Sequence, residues 1–241
     1  MEKILVAICN YNHSQYLKQS IESIQNQTHS NLEIVVVDDG SDDAEQVKDI
    51  VEDIKKTDDR VKFIQFTQNV GKWAALNTAI HSSQAPICTA HDADDISLPQ
   101  RIELQRKVMI DQNSYHNLCG FYHCFNEEDV LRHLDEHEPL TQTSIIEHEA
   151  VNKAVIWGAN NPAINHFYTG DFETAGVSAM FYKHLWALGF KFFPPKIGLR
   201  TLVSEDSCFN YRMATVLART SITAEKLYLY RRETSTNKEL L

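Results

Sequence analysis

No stretch of this 241-residue sequence approaches the ~18 consecutive apolar residues of a membrane-crossing helix, so none is expected within it. Met1 to Val6 runs directly into a hydrophobic strand pattern, without the basic region and apolar core of a secretory leader. The five cysteines, Cys9, Cys88, Cys119, Cys124 and Cys208, are odd in number and never spaced Cys-x-x-Cys. Neither a disulfide framework nor a zinc site is indicated. The expectation is a reduced, cytoplasmic protein, with peripheral attachment to the inner face of a membrane left open. Positive charge is also scarce. With 23 Lys and Arg against 33 Asp and Glu, the formal net charge is -10. Such a surface repels polyphosphate and argues against a nucleic-acid partner. A phosphorylated small ligand would need a metal ion or a local cluster of cations to hold it. Familiar signatures are missing too: there is no G-x-G-x-x-G, G-x-S-x-G or H-E-x-x-H, and the 11 histidines are scattered. Gly71-Lys72 looks like the end of a P-loop, but Phe66 stands where that motif needs its first glycine.

What is present is a regular alternation in the first half. Ile4 to Ile8, Ile34 to Val37, Val61 to Phe66 and Ile87 to Ala90 are short apolar runs. Each reads as a strand covered on both faces. Between them lie helical patterns. One starts at Ser14 with Leu17, Ile21 and Ile24; another starts near Asp42 with Val47, Ile50, Val51 and Ile54; a third spans Gly71 to His81. Pro99 marks the start of a fourth helix. Short strand-helix-strand connections predict an α/β fold: a Rossmann-like, mixed but mostly parallel sheet flanked by helices. The second half is less regular. It holds a strand at Leu118 to Phe125, a strand leading into a helix over Phe172 to Leu188, a helix over Glu205 to Ala218, and a tail strand ending in Arg231-Arg232. No internal repeat or low-complexity linker breaks the chain.

Ligands of such sheets bind beyond the carboxyl ends of the strands. Three polar clusters follow strands directly: Asn10-Tyr11-Asn12, Asp38-Asp39-Gly40-Ser41 and His91-Asp92-Ala93-Asp94-Asp95. All three are expected at one edge. Carboxylates as dense as Asp92, Asp94 and Asp95 repel unless a cation binds or their pKa values rise. Oxygen donors of this kind suit Mg²⁺ or Mn²⁺, with substrate phosphates completing the shell. A solvated acidic turn capping the next helix is the bland alternative. Asp39 is open between a turn residue and an acceptor of hydrogen bonds from a base or ribose. Glu205 and Asp206 stand at a helix start, where carboxylates complement the macrodipole, or where one of them serves as a general base. Lys72 at a helix start meets a phosphate or is simply exposed. Arg231 and Arg232 are either a diphosphate clamp or two exposed cations on a tail strand.

Taken together these residues resemble a known family. Asn10-Tyr11-Asn12 with Leu17, Ser20 to Thr28, and Val35-Val36-Val37-Asp38-Asp39-Gly40-Ser41 are similar to the opening of inverting glycosyltransferase family 2. Asn69 to Lys72, Ala75-Leu76-Asn77 and Asp92-Ala93-Asp94-Asp95 with Pro99 continue the likeness in order and spacing. It is specific over residues 3 to 108, thinner over Gly176 to Phe190 and over Ser204-Glu205-Asp206 with Arg212, and unreadable over 113 to 170. The resemblance implies a single GT-A domain over 1-241, with a nucleotide-sugar-binding half at 1-110 and an acceptor-binding half at 111-241. It implies inverting transfer from a nucleotide-diphosphate sugar, UDP by association, to a saccharide, lipid-linked or other hydroxyl acceptor. By the same resemblance Tyr11 lines the base pocket, Asp39 bonds the base, and Asp92 bonds the ribose. Asp94, with Asp92, would hold Mn²⁺ or Mg²⁺, Lys72 would meet the phosphates, and Asp206 with Glu205 beside it would be the catalytic base. The residues flanking that Glu-Asp pair, Val203-Ser204 and Ser207, depart from the family's pattern.

Three rival functions share some of these features. A haloacid-dehalogenase-type phosphatase is partly mimicked by Asp92-Ala93-Asp94-Asp95-Ile96, but its motif closes the first strand, not the fourth. A non-catalytic nucleotide-sugar binding module is opposed by Glu205-Asp206. A sugar-nucleotide synthesising nucleotidyltransferase lacks its Gly- and Arg-rich opening loop here.

Overall fold

The computed structural model describes residues 1–138, 166–169, 172–193, 205–206, 209–210, 212–213 and 220–234. The first half alternates as expected: β1 (Ile4–Asn10), α1 (Ser14–Gln25), β2 (Leu32–Asp38), α2 (Ala44–Lys55), β3 (Val61–Gln65), α3 (Lys72–Ser82) and β4 (Ile87–Asp92). β2 and β3 each pair in parallel with the strand before them, and β4 returns to the free side of β1. Successive residues of β1 and β2 therefore meet opposite layers. Leu5, Ala7, Val35 and Val37 join Ala75, Leu76, Ala79 and Ile80 of α3 on one face. Ile4, Val6, Ile8, Ile34 and Val36 join Leu17, Ile21 and Ile24 of α1 and Val47, Val51 and Ile54 of α2 on the other. Each such branched side chain contributes about 1.5–3 kcal/mol on burial, which is why runs apolar on both faces form the sheet's centre.

Beyond β4 the chain departs from simple alternation. β5 (Ile96–Ser97) is a two-residue strand, followed by α4 (Arg101–Asp111), β6 (His116–Cys124) and α5 (Glu127–Asp135). Then come β7 (His166–Thr169), β8 (Phe172–Ala175), a 3-10 turn at Gly176–Ser178, β9 (Met180–Tyr182), α6 (Lys183–Ala187) and β10 (Thr220–Arg231). The main strand order is β3-β2-β1-β4-β9-β6-β10-β5, with β8 on β6 and β7 on β8. β9 lies antiparallel between β4 and β6, while β10 runs parallel to β6. The sheet is mixed, with the longest registers parallel.

Two elements escape the sequence patterns. α5 buries only Val130 and leaves Leu131 and Leu134 exposed; what starts it is Asn126, whose side chain caps the Asp129 N–H, and three acidic residues in its first turn. β10 is far longer than the tail strand expected at Leu227 to Arg232. Its first half is polar, yet buried because Asn117 and Ser114 of the neighbouring segment hydrogen-bond Ser221, and Thr223 donates to Asn117. Residues 205, 206, 209, 210, 212 and 213 are helical, matching part of the expected 205–218 helix. Its remaining positions lie outside the described residues, as does the whole of the 139–165 stretch. Cys9, Cys88, Cys119 and Cys124 are free thiols, and Cys208 lies outside the described residues. Among the described residues no helix is long and apolar enough to cross a membrane.

Candidate active site

Because the chain builds β1 to β3 outward and then reverses to place β4 against β1, a crevice opens at the carboxyl ends of β1 and β4. Register levels those ends. Asn10 pairs with Asp38, and Cys9 pairs with Asp92. The three polar clusters that follow β1, β2 and β4 are thus brought to one edge, as expected. Asn10 Nδ2 donates to Asp38 Oδ1 and to Ser41 Oγ, and the Asn12 N–H also donates to Ser41. These bonds tie the first strand end to the second.

Asp39 fixes the third. Its two carboxylate oxygens accept the N–H groups of Val70 and Gly71, each at 2.8 Å, and so hold the loop that delivers Lys72 to the start of α3. Each oxygen keeps a further lone pair. Gly40 makes this approach possible. It has φ +70°, and a Cβ there would stand 2.3 Å from the carbonyl carbon of Gln68 and 2.6 Å from the Asn69 nitrogen. Both are backbone atoms and cannot rotate away. Gly40→Ala is therefore expected to destabilise the protein by about 2–4 kcal/mol, from left-handed strain plus overpacking. A urea unfolding midpoint unchanged from the parent would contradict this contact.

Lys72 is the hub. Its Nζ lies 2.6 Å from Asp92 Oδ1, 2.8 Å from Oδ2 and 4.0 Å from Asp206 Oδ2. Burial alone would lower the Lys72 pKa, but Asp92, Asp206 and Glu205 together outweigh it and hold the value well above the usual range. The pair Glu205-Asp206, more than a hundred residues downstream in the chain, is thereby brought to the ends of β1 and β4. Cys9 lies among the same charges. Burial raises its thiol pKa strongly against the pull of Lys72, so it is an inert neighbour rather than a nucleophile.

The acidic turn between β4 and β5 completes the edge. Asp92, Asp94 and Asp95 each present a carboxylate oxygen within 4.8 Å of the others. Burial foremost, then the Asp94 and Asp206 charges, push the Asp92 carboxyl up to about 6 despite Lys72. Asp95 is fully buried; burial, Asp94 and Asp92 raise it well above the carboxylate range, and its Oδ2 has no hydrogen-bond partner among the described residues. Crowded hard oxygen donors, one of them orphaned, fit a divalent cation of the Mg²⁺ or Mn²⁺ type.

Arg231 is expected either in a diphosphate clamp or as an exposed cation. It is 1% exposed, so it is not an exposed cation on the tail strand. Its backbone N–H donates to Asp95 Oδ1, and Nη1 donates to the Asp94 carbonyl at 2.7 Å. Nη2 donates to Gln19 Oε1 and Glu127 Oε2, and the guanidinium lies 4.7 Å from the Tyr16 ring centroid. The reason is topological: β10 pairs antiparallel with β5, which seats Arg231 directly behind the turn. A planar fork with several donors suits that bracing task. Tyr228, three residues earlier, accepts the Asp92 N–H through its hydroxyl. Tyr11 stands at the β1 end, 44% exposed and open to a ligand. His13, which no sequence pattern singles out, reaches Asp94 with Nε2 3.9 Å from Oδ2. Only its neighbourhood to Asn10-Tyr11-Asn12 hinted at the site.

Comparison with known proteins follows the same lines. The model of the family described as "Glycosyl transferase family 2" matches residues 5–184. An uncharacterized glycosyltransferase of Haemophilus influenzae is 37% identical over 119 residues, covering 49% of this chain and 36% of that protein. One from Methanocaldococcus jannaschii is 33% identical over 142 residues, covering 58% and 48%. The chain thus spans less than half the length of these relatives. Among solved structures, Staphylococcus aureus TarS 1-349 in complex with UDP-GlcNAc superposes with a TM-score of 0.68 at 17% identity, over 98% of this chain and 60% of that one. The mannosyltransferase PcManGT of Pyrobaculum calidifontis, in complex with GDP-Man and Mn²⁺, gives 0.63 at 21%, over 95% and 56%. Identities this low establish a common fold, the GT-A arrangement of a mixed sheet between helices.

Proposed function

The chain belongs to glycosyl transferase family 2, and from that premise we propose that it transfers a sugar, with inversion, from a nucleotide-diphosphate donor to an acceptor hydroxyl. UDP is the proposed nucleotide. The observation that carries the proposal is the Lys72 hub, which joins Asp92 and Asp206 in one pocket beside the loop held by Asp39. Residues 1-110 are assigned to the donor and 111-241 to the acceptor, a saccharide, lipid-linked or other hydroxyl compound.

Tyr11, exposed at the end of β1, is assigned to the base, and Asp39 to hydrogen bonds with base or ribose through its remaining lone pairs. Asp92 serves the ribose and, with Asp94, would hold Mn²⁺ or Mg²⁺. Bound there, the cation supplies stabilisation of the charge that grows on the departing diphosphate. Lys72 adds a fixed positive charge on the phosphate side. Asp206 accepts the proton of the acceptor hydroxyl as its oxygen bonds to the anomeric carbon and the carbon–phosphate-oxygen bond breaks on the opposite face. Glu205 keeps a second negative charge near Lys72. Arg231 is assigned to bracing the acidic turn rather than to the diphosphate.

A thermal-shift screen tests this directly. UDP and UDP-sugars with Mn²⁺ are expected to raise the melting temperature, ligand at about 100 times its Kd stabilising by roughly 2.7 kcal/mol. No shift with any uridine or guanosine diphosphate compound, with or without metal, would remove the nucleotide-sugar assignment.

A further inference from the structure

Only part of the acidic turn is free to coordinate. Asp95 is fully buried, and its Oδ1 already accepts the Arg231 N–H. Asp92 shares both oxygens with Lys72. Asp94 is the carboxylate held neither by Lys72 nor by the Arg231 N–H, and the group facing it is His13. His13 Nε2 lies 3.9 Å from Asp94 Oδ2. Its Nδ1 is buried without a hydrogen-bond partner among the described residues, so Nε2 is the nitrogen that meets the crevice.

His13 is the residue immediately before α1, and its side chain caps no backbone group. At 3.9 Å the Nε2 nitrogen and the Asp94 oxygen stand beyond hydrogen-bond distance, with an ion's width between them. Two donors about 2.1 Å from one ion can be at most ~4.2 Å apart. The observed separation falls inside that limit. Resting on the reading of this turn as a divalent-cation site, we propose that His13 Nε2 is a further ligand of the ion held by Asp94. The site is then a mixed nitrogen and oxygen one. It selects Mn²⁺ and later transition ions over Mg²⁺, which prefers oxygen donors alone.

Electron spin-echo spectroscopy of the whole chain loaded with Mn²⁺ tests this without recourse to turnover. The parent protein is expected to give ¹⁴N modulation from a bound imidazole, lost in His13→Ala and in His13→Gln. Mn²⁺ affinity should fall about tenfold in His13→Ala, with Mg²⁺ affinity changed less than about twofold. The Gln variant, which offers an oxygen donor, should recover part of the Mn²⁺ affinity but no ¹⁴N signal. Mn²⁺ bound through Asp94 with no ¹⁴N signal in the parent overturns the His13 assignment alone. Mn²⁺ binding that is absent, or unaffected by Asp94→Ala, overturns the cation site itself and His13 with it.

Discussion

Asp206→Asn is expected to lower sugar transfer by about 10²–10⁴-fold while leaving the Kd for UDP within about twofold of the parent. The amide has the shape of the carboxyl but cannot take a proton from an acceptor. Donor binding survives because Asp206 lies 4.0 Å from Lys72, whereas Asp92 holds the same ammonium at 2.6 Å and remains in place. Release of UDP from UDP-sugar with water as acceptor gives the rate, and calorimetry gives the affinity. A rate within tenfold of the parent would exclude Asp206 as the base. Loss of UDP binding would instead assign it to holding Lys72. Glu205→Gln is the control, since Glu205 contributes to the same field around Lys72 without the 4.0 Å approach that Asp206 makes.

Asp94→Ala should weaken UDP binding in the presence of Mn²⁺ by about 100-fold or more, through loss of the carboxylate that neither Lys72 nor the Arg231 N–H holds. Binding of UDP without metal should be nearly unchanged. The acidic turn itself is expected to keep its shape, because Arg231 holds it by the Asp94 backbone carbonyl and the Asp95 carboxylate, neither of which the substitution removes. Titration with UDP in Mn²⁺ and in EDTA separates the two terms. Equal affinity for parent and variant in Mn²⁺ would sink the ligand assignment. The same field gives the metal-free protein a pH dependence through Asp92. Its carboxyl, at about 6 when folded, binds a proton more readily than the ordinary value of 3.8, so that group's contribution to stability falls as pH rises between the two.

Much of the first half was legible in the chain. Apolar runs without alternation mark strands buried on both faces, and the polar residues that stop them mark the strand ends. From Asn10, Asp38 and Asp92 one could place three clusters at one edge, and the register levels those positions. Beyond residue 110 the signals fail for identifiable reasons. α5 buries a single apolar residue and is defined by its cap. The first part of β10 is polar but buried, its side chains satisfied by Ser114, Asn117 and His116. Arg231 beside Arg232 reads either as a diphosphate clamp or as an exposed cation, because nothing near it in the chain shows what it packs against. Pairing of β10 with β5 places it behind the acidic turn instead.

The sequence by itself determined which segments become the central strands, which side of the sheet carries the polar clusters, and that acidic groups must there be reconciled with one another. Local pattern suffices for this, since strand burial and strand-end polarity depend on neighbours a few positions away. Only the tertiary structure decided what each charge does. Lys72, Asp92 and Asp206 meet, Asp39 secures a loop, Arg231 is internal, and His13 faces Asp94. Those assignments depend on distances between residues tens to hundreds of positions apart. Coulomb energy and desolvation act through space, and no spacing along the chain encodes them.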